Sequence, residues 1–199
     1  MHVRAVTFTG ASNIDQGVAY VRDTVAPILD RQKGYRGMTV SVDRENGVVG
    51  ILSLWESSED RDASDAALMP TREEGAKIIG GTLSVENMEQ TVVEMVEPPV
   101  VGSPLTVTRT SMDPDNVDDN VAFFKSEILP GILATPGIRV VRSMMNRETG
   151  HGMVGVVWAN QEAMVAGAEA AKRRRELASA RGIRFDDVSQ REIVLVDFK

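Results

Sequence analysis

The sequence predicts an α+β protein built from two copies of one β-α-β-β-α-β unit. Three observations carry this. Residues 34–55, GYRGMTVSVDRENGVVGILSLW, recur as residues 137–158, GIRVVRSMMNRETGHGMVGVVW, at a constant spacing of 103. Keeping that spacing, the 84 positions from 13 to 96 hold nineteen identities. Chance would give about five, and a domain-sized period reads as a duplication. Within each copy, stretches of period 2 alternate with stretches of period 3.6, so strands and helices follow one another along the chain.

Taken in order, VRAVTFT from Val3 reads as a strand. Asn13 with Gln16 reads as a helix start, and Ile14, Val18, Val21, Val25 and Leu29 form one apolar stripe. Val117, Val121, Phe124, Ile128 and Ile132 repeat it. Pro27 and Pro130 fall late in these helices, where a missing N–H predicts a kink or an end. Gly34 and Gly137 suit left-handed caps. A hairpin follows, turning at Asn46-Gly47 in the first copy and Thr149-Gly150 in the second. Ser57 and Asn160 read as caps of a second helix. Met69-Pro70 predicts a break in the first copy, with Thr71 restarting the helix. Strands over 91–96 and 193–198 close the copies. The expected domains are 1–97 and 105–199, joined by a stiff linker over 98–104 that contains Pro98, Pro99 and Pro104.

This order is the split βαβ, ferredoxin-like unit, which covers one sheet face with helices and leaves the other bare. Two copies packed sheet to sheet as an intramolecular α/β barrel would shield both.

Composition excludes several classes. The 199 residues contain no cysteine, so disulfides and thiolate chemistry are absent. Net charge is −7, which argues against nucleic-acid binding. No apolar run reaches the ~20 residues of a membrane span, and the first ten residues lack a signal-peptide layout, so a cytoplasmic protein is expected. Only His2 and His151 are available as imidazole ligands, too few and too dispersed for a metal site. No metal and no cofactor is expected.

The element order, Pro27 and Gly34 (repeated as Pro130 and Gly137), Leu54-Trp55-Glu56-Ser57 and Val157-Trp158-Ala159-Asn160 together resemble the dimeric α/β-barrel superfamily, in its antibiotic biosynthesis monooxygenase-like branch. The resemblance implies a barrel usually made by two subunits, here made by one chain as an internal pseudo-dimer, or a homodimer of it. It further implies a cofactor-independent monooxygenase-like enzyme acting on a small aromatic or quinol substrate. The alternative is a non-catalytic small-ligand-binding or scaffold protein of the same fold. Haem-degrading members use a first-strand Asn, a Trp and a second-helix His. Only the Trp matches here.

Candidate pocket residues follow from position. Trp55 and Trp158, the only tryptophans, end equivalent strands. Each is either the wall of a pocket for a small aromatic ligand or a core anchor. Arg36 and Arg139 recur after the capping glycines, where they either clamp an anion or pair with nearby acids and helix-end carbonyls. Arg109 is a charge in a strand pattern, facing a polar pocket or lying at an exposed end. Lys172-Arg-Arg-Arg175, with Glu169 and Glu176 at helical spacing, reads as a solvated, salt-bridged face. No residue is assignable as catalytic.

Overall fold

The computed structural model describes residues 1–198. Its strands are β1 (His2–Thr9), β2 (Tyr35–Asp43), β3 (Val48–Trp55), β4 (Thr82–Met95), β5 (Pro104–Ser111), β6 (Ile138–Met145), β7 (His151–Trp158) and β8 (Arg184–Phe198). They form one closed antiparallel barrel in the order β1-β3-β2-β8-β5-β7-β6-β4. Closure removes the free edges that a sheet must otherwise protect. The expected pair of ferredoxin-like repeats making an intramolecular barrel is present.

The chain forms two compact units. Of the described residues, the first holds Met1–Asn87, Val100–Gly102 and 192–198; the second holds Met88–Pro99 and Ser103–Arg191. In the first unit β1 and β2 flank β3, and β2 also pairs with the end of β8, from Gly37 opposite Phe198 to Val42 opposite Glu192. In the second unit β5 and β6 flank β7, and β6 pairs with the end of β4, from Val140 opposite Met95 to Met145 opposite Glu89. β4 and β8 are thus far longer than the closing strands expected over 91–96 and 193–198. Their first halves carry Glu86, Asn87 and Glu89, and Asp186, Asp187 and Gln190. These polar runs lack the alternation by which a strand is read.

Helices cover one sheet face in each unit. In the first unit these are α1 (Ile14–Tyr20), α2 (Ala26–Leu29), α3 (Ser58–Ala63) and α4 (Asp65–Ile79); in the second, α5 (Val117–Phe123), α6 (Leu129–Leu133) and α7 (Gln161–Ser179). The prolines act through a π turn. Val21–Val25 and Phe124–Ile128 are wound one residue wider, and Ala26 N–H and Leu129 N–H reach back five residues to Val21 O and Phe124 O. Pro27 and Pro130 then stand in the first turn of α2 and α6, where a missing N–H costs nothing.

Some expected caps are replaced. Asn13 makes no capping bond. In the second unit Asp113 caps a 3₁₀ turn, Pro114–Asn116, that precedes α5. Pro70 lies inside α4, and the break falls earlier, at Ser64. Thr71 is no cap; its hydroxyl donates to Leu68 O at 2.7 Å. Ser57 and Asn160 do cap, accepting from Asp60 N at 3.0 Å and Ala163 N at 2.9 Å. Asn160→Ala should cost about 1 kcal/mol, read as a lower urea midpoint at unchanged slope. Gly34 and Gly137 hold φ of +72° and +83°, and a Cβ there would meet Asp60 or Ala163.

Each unit has its own core between sheet and helices. Phe8, Val21, Met38, Val40, Val49, Trp55 and Ile79 anchor the first. In the second, Val141, Trp158 and Met164 cluster with Ile128 and Ile132, while Met112, Val117, Met145 and Ala178 form a separate cluster. The space around those two clusters is where the units differ.

Candidate functional site

The second unit has a cavity of about 200 Å³ between its sheet and helices. In the first unit the equivalent space is about 40 Å³. Strand register explains the contrast. His2 lies opposite Trp55 in the first unit, and Leu105 lies opposite Val157 in the second, so β1 and β5 correspond at a spacing of 102. The helices and the other strands keep 103. On this register Arg4, Val6 and Phe8 of the first unit become Thr106, Thr108 and Thr110. All three side chains of each set line their unit's space.

Across the cavity, α7 repeats the pattern. Leu68, Thr71, Arg72 and Gly75 line the first space; Ala171, Arg174, Arg175 and Ala178 line the second. Ile79, fully buried and packed into the position of a Gly17 side chain, corresponds to Gly182. Loss of Phe8, Leu68, Ile79 and the long Arg4 side chain opens the second unit. Asn120, Phe124 and Ile128, larger than Gly17, Val21 and Val25, refill only part of the room.

Polar groups in the cavity are few. Trp158 Nε1 donates to Thr106 Oγ1 at 3.0 Å. Its ring lies against Gly167 of α7, where a Cβ would come within 2.4 Å of it. Buried Asn120 donates from Nδ2 to Met112 Sδ at 3.3 Å. Ser143 Oγ accepts from Thr91 Oγ1 at 3.2 Å. Arg174 crosses Gly131 and donates from Nη1 to Gly131 O at 3.0 Å. Burial, and then the adjoining Arg173 and Arg175, hold its guanidinium below the ordinary arginine value. None of the residues lining the cavity is Asp, Glu or His.

The residues singled out in the sequence disperse. Trp158 lines the cavity. Trp55 does not line the first unit's space: it is fully buried, donates from Nε1 to Ser53 Oγ at 3.0 Å and meets Tyr35 edge-on at 5.7 Å. Arg36 pairs with Glu56 at 2.7 Å at the surface. Arg139 bonds Pro98 O and Glu97, each at 3.1 Å. Arg109, opposite Met153 on β5, alternates with Thr108 and Thr110 and so projects from the sheet face away from the cavity. His151 begins β7 and is exposed.

Sequence reading missed the threonine row and Asn120, and took Arg174 as part of a solvated basic run. The signal was available: three polar residues at alternate positions of a strand that should face a core. Among the described residues no group of three or more His, Asp or Glu side chains is placed to hold a metal ion. Among the described residues no helix is long and apolar enough to cross a membrane.

No family model matches the chain. The uncharacterised proteins Rv2557 and MT2634 of Mycobacterium tuberculosis (strains H37Rv and CDC 1551) are each 30% identical to it over 165 residues, covering 82% of this chain and 74% of theirs. Among solved structures, an anthrone oxidase-like protein superposes with a TM-score of 0.72 at 13% identity, over 98% of this chain and 92% of its own. A ferredoxin-fold protein related to antibiotic biosynthesis monooxygenases, from Listeria monocytogenes, gives 0.55 at 10%, over 98% and 96%. The haem-degrading enzyme LmHde of the same organism gives 0.54 at 10%, over 96% and 99%. The chain therefore belongs to the family of the mycobacterial Rv2557 and MT2634 proteins, and its fold is the ferredoxin-like α/β barrel of the antibiotic biosynthesis monooxygenase-like structures.

Proposed function

We propose that the protein binds a small planar aromatic molecule of the phenol or quinol class in the cavity of its second unit. One observation carries the reading: within a single chain the same site is packed shut in one copy and open in the other. The volume sets the ligand's size. An apolar cavity of ~150 Å³ holds a benzene ring, so about 200 Å³ suits one or two fused rings. Drug-sized ligands occupy ~300–1,000 Å³. A haem is too large for this space, and no imidazole lines it to serve as an axial ligand. Trp158, Phe124, Ile128 and Val156 supply apolar walls, and Thr106, Thr108 and Thr110 supply hydroxyls that meet a phenolic O–H.

Titration of tryptophan fluorescence with 2-naphthol tests this. Saturable quenching that disappears in Trp158→Phe, with the circular dichroism spectrum retained, is the expected result. Absence of saturable quenching in the wild type overturns it.

A second reading, cofactor-independent monooxygenation, is supported by the fold neighbours described as monooxygenase-related and anthrone oxidase-like. In that reaction a phenol takes up dioxygen. One oxygen replaces a ring C–H hydrogen as a carbonyl, and the other leaves as water with that hydrogen and the phenolic proton. The chain's residues would hold the ring and exclude water. The lining offers no carboxylate or imidazole to take the phenolic proton, so binding is the better supported function. Oxygen uptake matched one for one by quinone from a bound phenol would establish the catalytic reading; none would exclude it for that phenol.

A further inference from the structure

The first unit contains a partly buried ion cluster that the second has half dismantled. Arg72 Nη2 holds Asp65 Oδ1 at 2.5 Å across two turns of α4. The same carboxylate lies 3.3 Å from Arg4 Nη2, whose side chain is 3% exposed and fills the space under the helices. Arg4 also donates to Asn87 and Ser64. Two guanidiniums that line the closed space therefore share one carboxylate, itself partly exposed beside that space, with Asp62 a more distant neighbour of Arg4 at 3.8 Å.

At the corresponding positions of the second unit, Arg72 is kept as Arg175, while Asp65 has become Ala168 and Arg4 has become Thr106. Arg174 is added where the first unit has Thr71. Both arginines line the open cavity, as does Ala168. Neither makes an ion pair with any described residue, and the expected pairing of this run with Glu169 and Glu176 is absent. A half-buried cation facing an apolar cavity without a counter-charge is the state that a bound anion relieves. In this chain the vacated carboxylate position and the vacated side-chain volume belong to one cavity.

We infer that the ligand of the second unit is an aromatic anion, a ring bearing a carboxylate, with its ring in the volume released by Arg4 and Phe8 and its carboxylate at Arg175 and Arg174 in the place Asp65 holds in the first unit. This rests on the binding function proposed above and adds the charge of the ligand. The first unit is in effect the filled form of the second. Its own arginine stem occupies the space that the ligand's ring takes in the other copy, and Asp65 holds the charge position beside that space.

The test compares 2-naphthol, neutral at pH 7, with 2-naphthoate, anionic at pH 7, by the same fluorescence titration. The wild type should bind 2-naphthoate about tenfold more tightly than 2-naphthol. Two substitutions should erase that preference by weakening 2-naphthoate binding. Arg175→Gln removes one of the two cations, the one that corresponds to Arg72. Ala168→Asp, at an exposed helix position, restores the carboxylate seven residues before the arginine, the spacing of the Asp65–Arg72 pair. The second variant keeps every arginine, so its effect is not a loss of fold. Binding of 2-naphthol without a preference for 2-naphthoate, or a preference that survives both substitutions, overturns the anion assignment and leaves the binding function standing. Binding of neither ligand overturns both.

Discussion

Thr110→Phe should abolish ligand binding while leaving the fold intact. Residue 110 corresponds to Phe8, and the first unit demonstrates that a phenylalanine is accommodated there, at 2% exposure. The ring would occupy the room now shared by Thr110, Asn120 and Ala178. Most of the apolar burial available to a ligand ring would be lost, so affinity for 2-naphthol should fall at least about 100-fold. Stability should stay level or rise, because the added ring fills existing space rather than displacing packed atoms. A titration beside a thermal melt measures both. Unchanged binding would place the ligand outside this cavity.

Trp55→Ala should produce the opposite pattern. Trp55 is fully buried, hydrogen-bonded to Ser53 and packed on Tyr35. Its deletion leaves a cavity in the first unit's core, and a loss of about 3–5 kcal/mol is expected. Urea unfolding at 25 °C would show this as a lower midpoint. Ligand affinity per folded molecule should persist, because Trp158 and its surroundings belong to the other unit. The two tryptophans are identical in sequence position yet divided in role. Trp55 is the core anchor and Trp158 the cavity wall.

That division was only half legible in the sequence. The duplicated stretch, the hairpin turns and the capped helices gave the two-fold β-α-β-β-α-β order directly, because each rests on local patterns of side-chain polarity. The first halves of β4 and β8 escaped for the same reason. Glu86, Asn87 and Glu89, or Asp186 and Asp187, do not look like strand, and only the closure of the barrel makes them so. Pro27 and Pro130 signalled a disturbance, but the π turn ahead of them is a backbone response that composition does not specify.

The cavity was hidden by a single-residue change of spacing. At 103 residues, Thr106 aligns with Val3 and Thr108 with Ala5, and nothing stands out. At 102, the spacing fixed by strand pairing, Thr106, Thr108 and Thr110 replace Arg4, Val6 and Phe8. Arg174 and Arg175 were visible, but as part of a basic run that read as solvated. What changed their meaning was the alanine at 168, where the first copy has an aspartate. Such an absence carries no signal until both copies are superimposed.

Crystals grown with 6-bromo-2-naphthol test the central claim most directly, since bromine is located by its anomalous scattering. One bromine peak is predicted, inside the second unit's cavity beside Trp158 and Thr110, with none beside Phe8 and Leu68. A peak within the first unit's space, or a fully occupied site elsewhere with this cavity empty, would contradict the account.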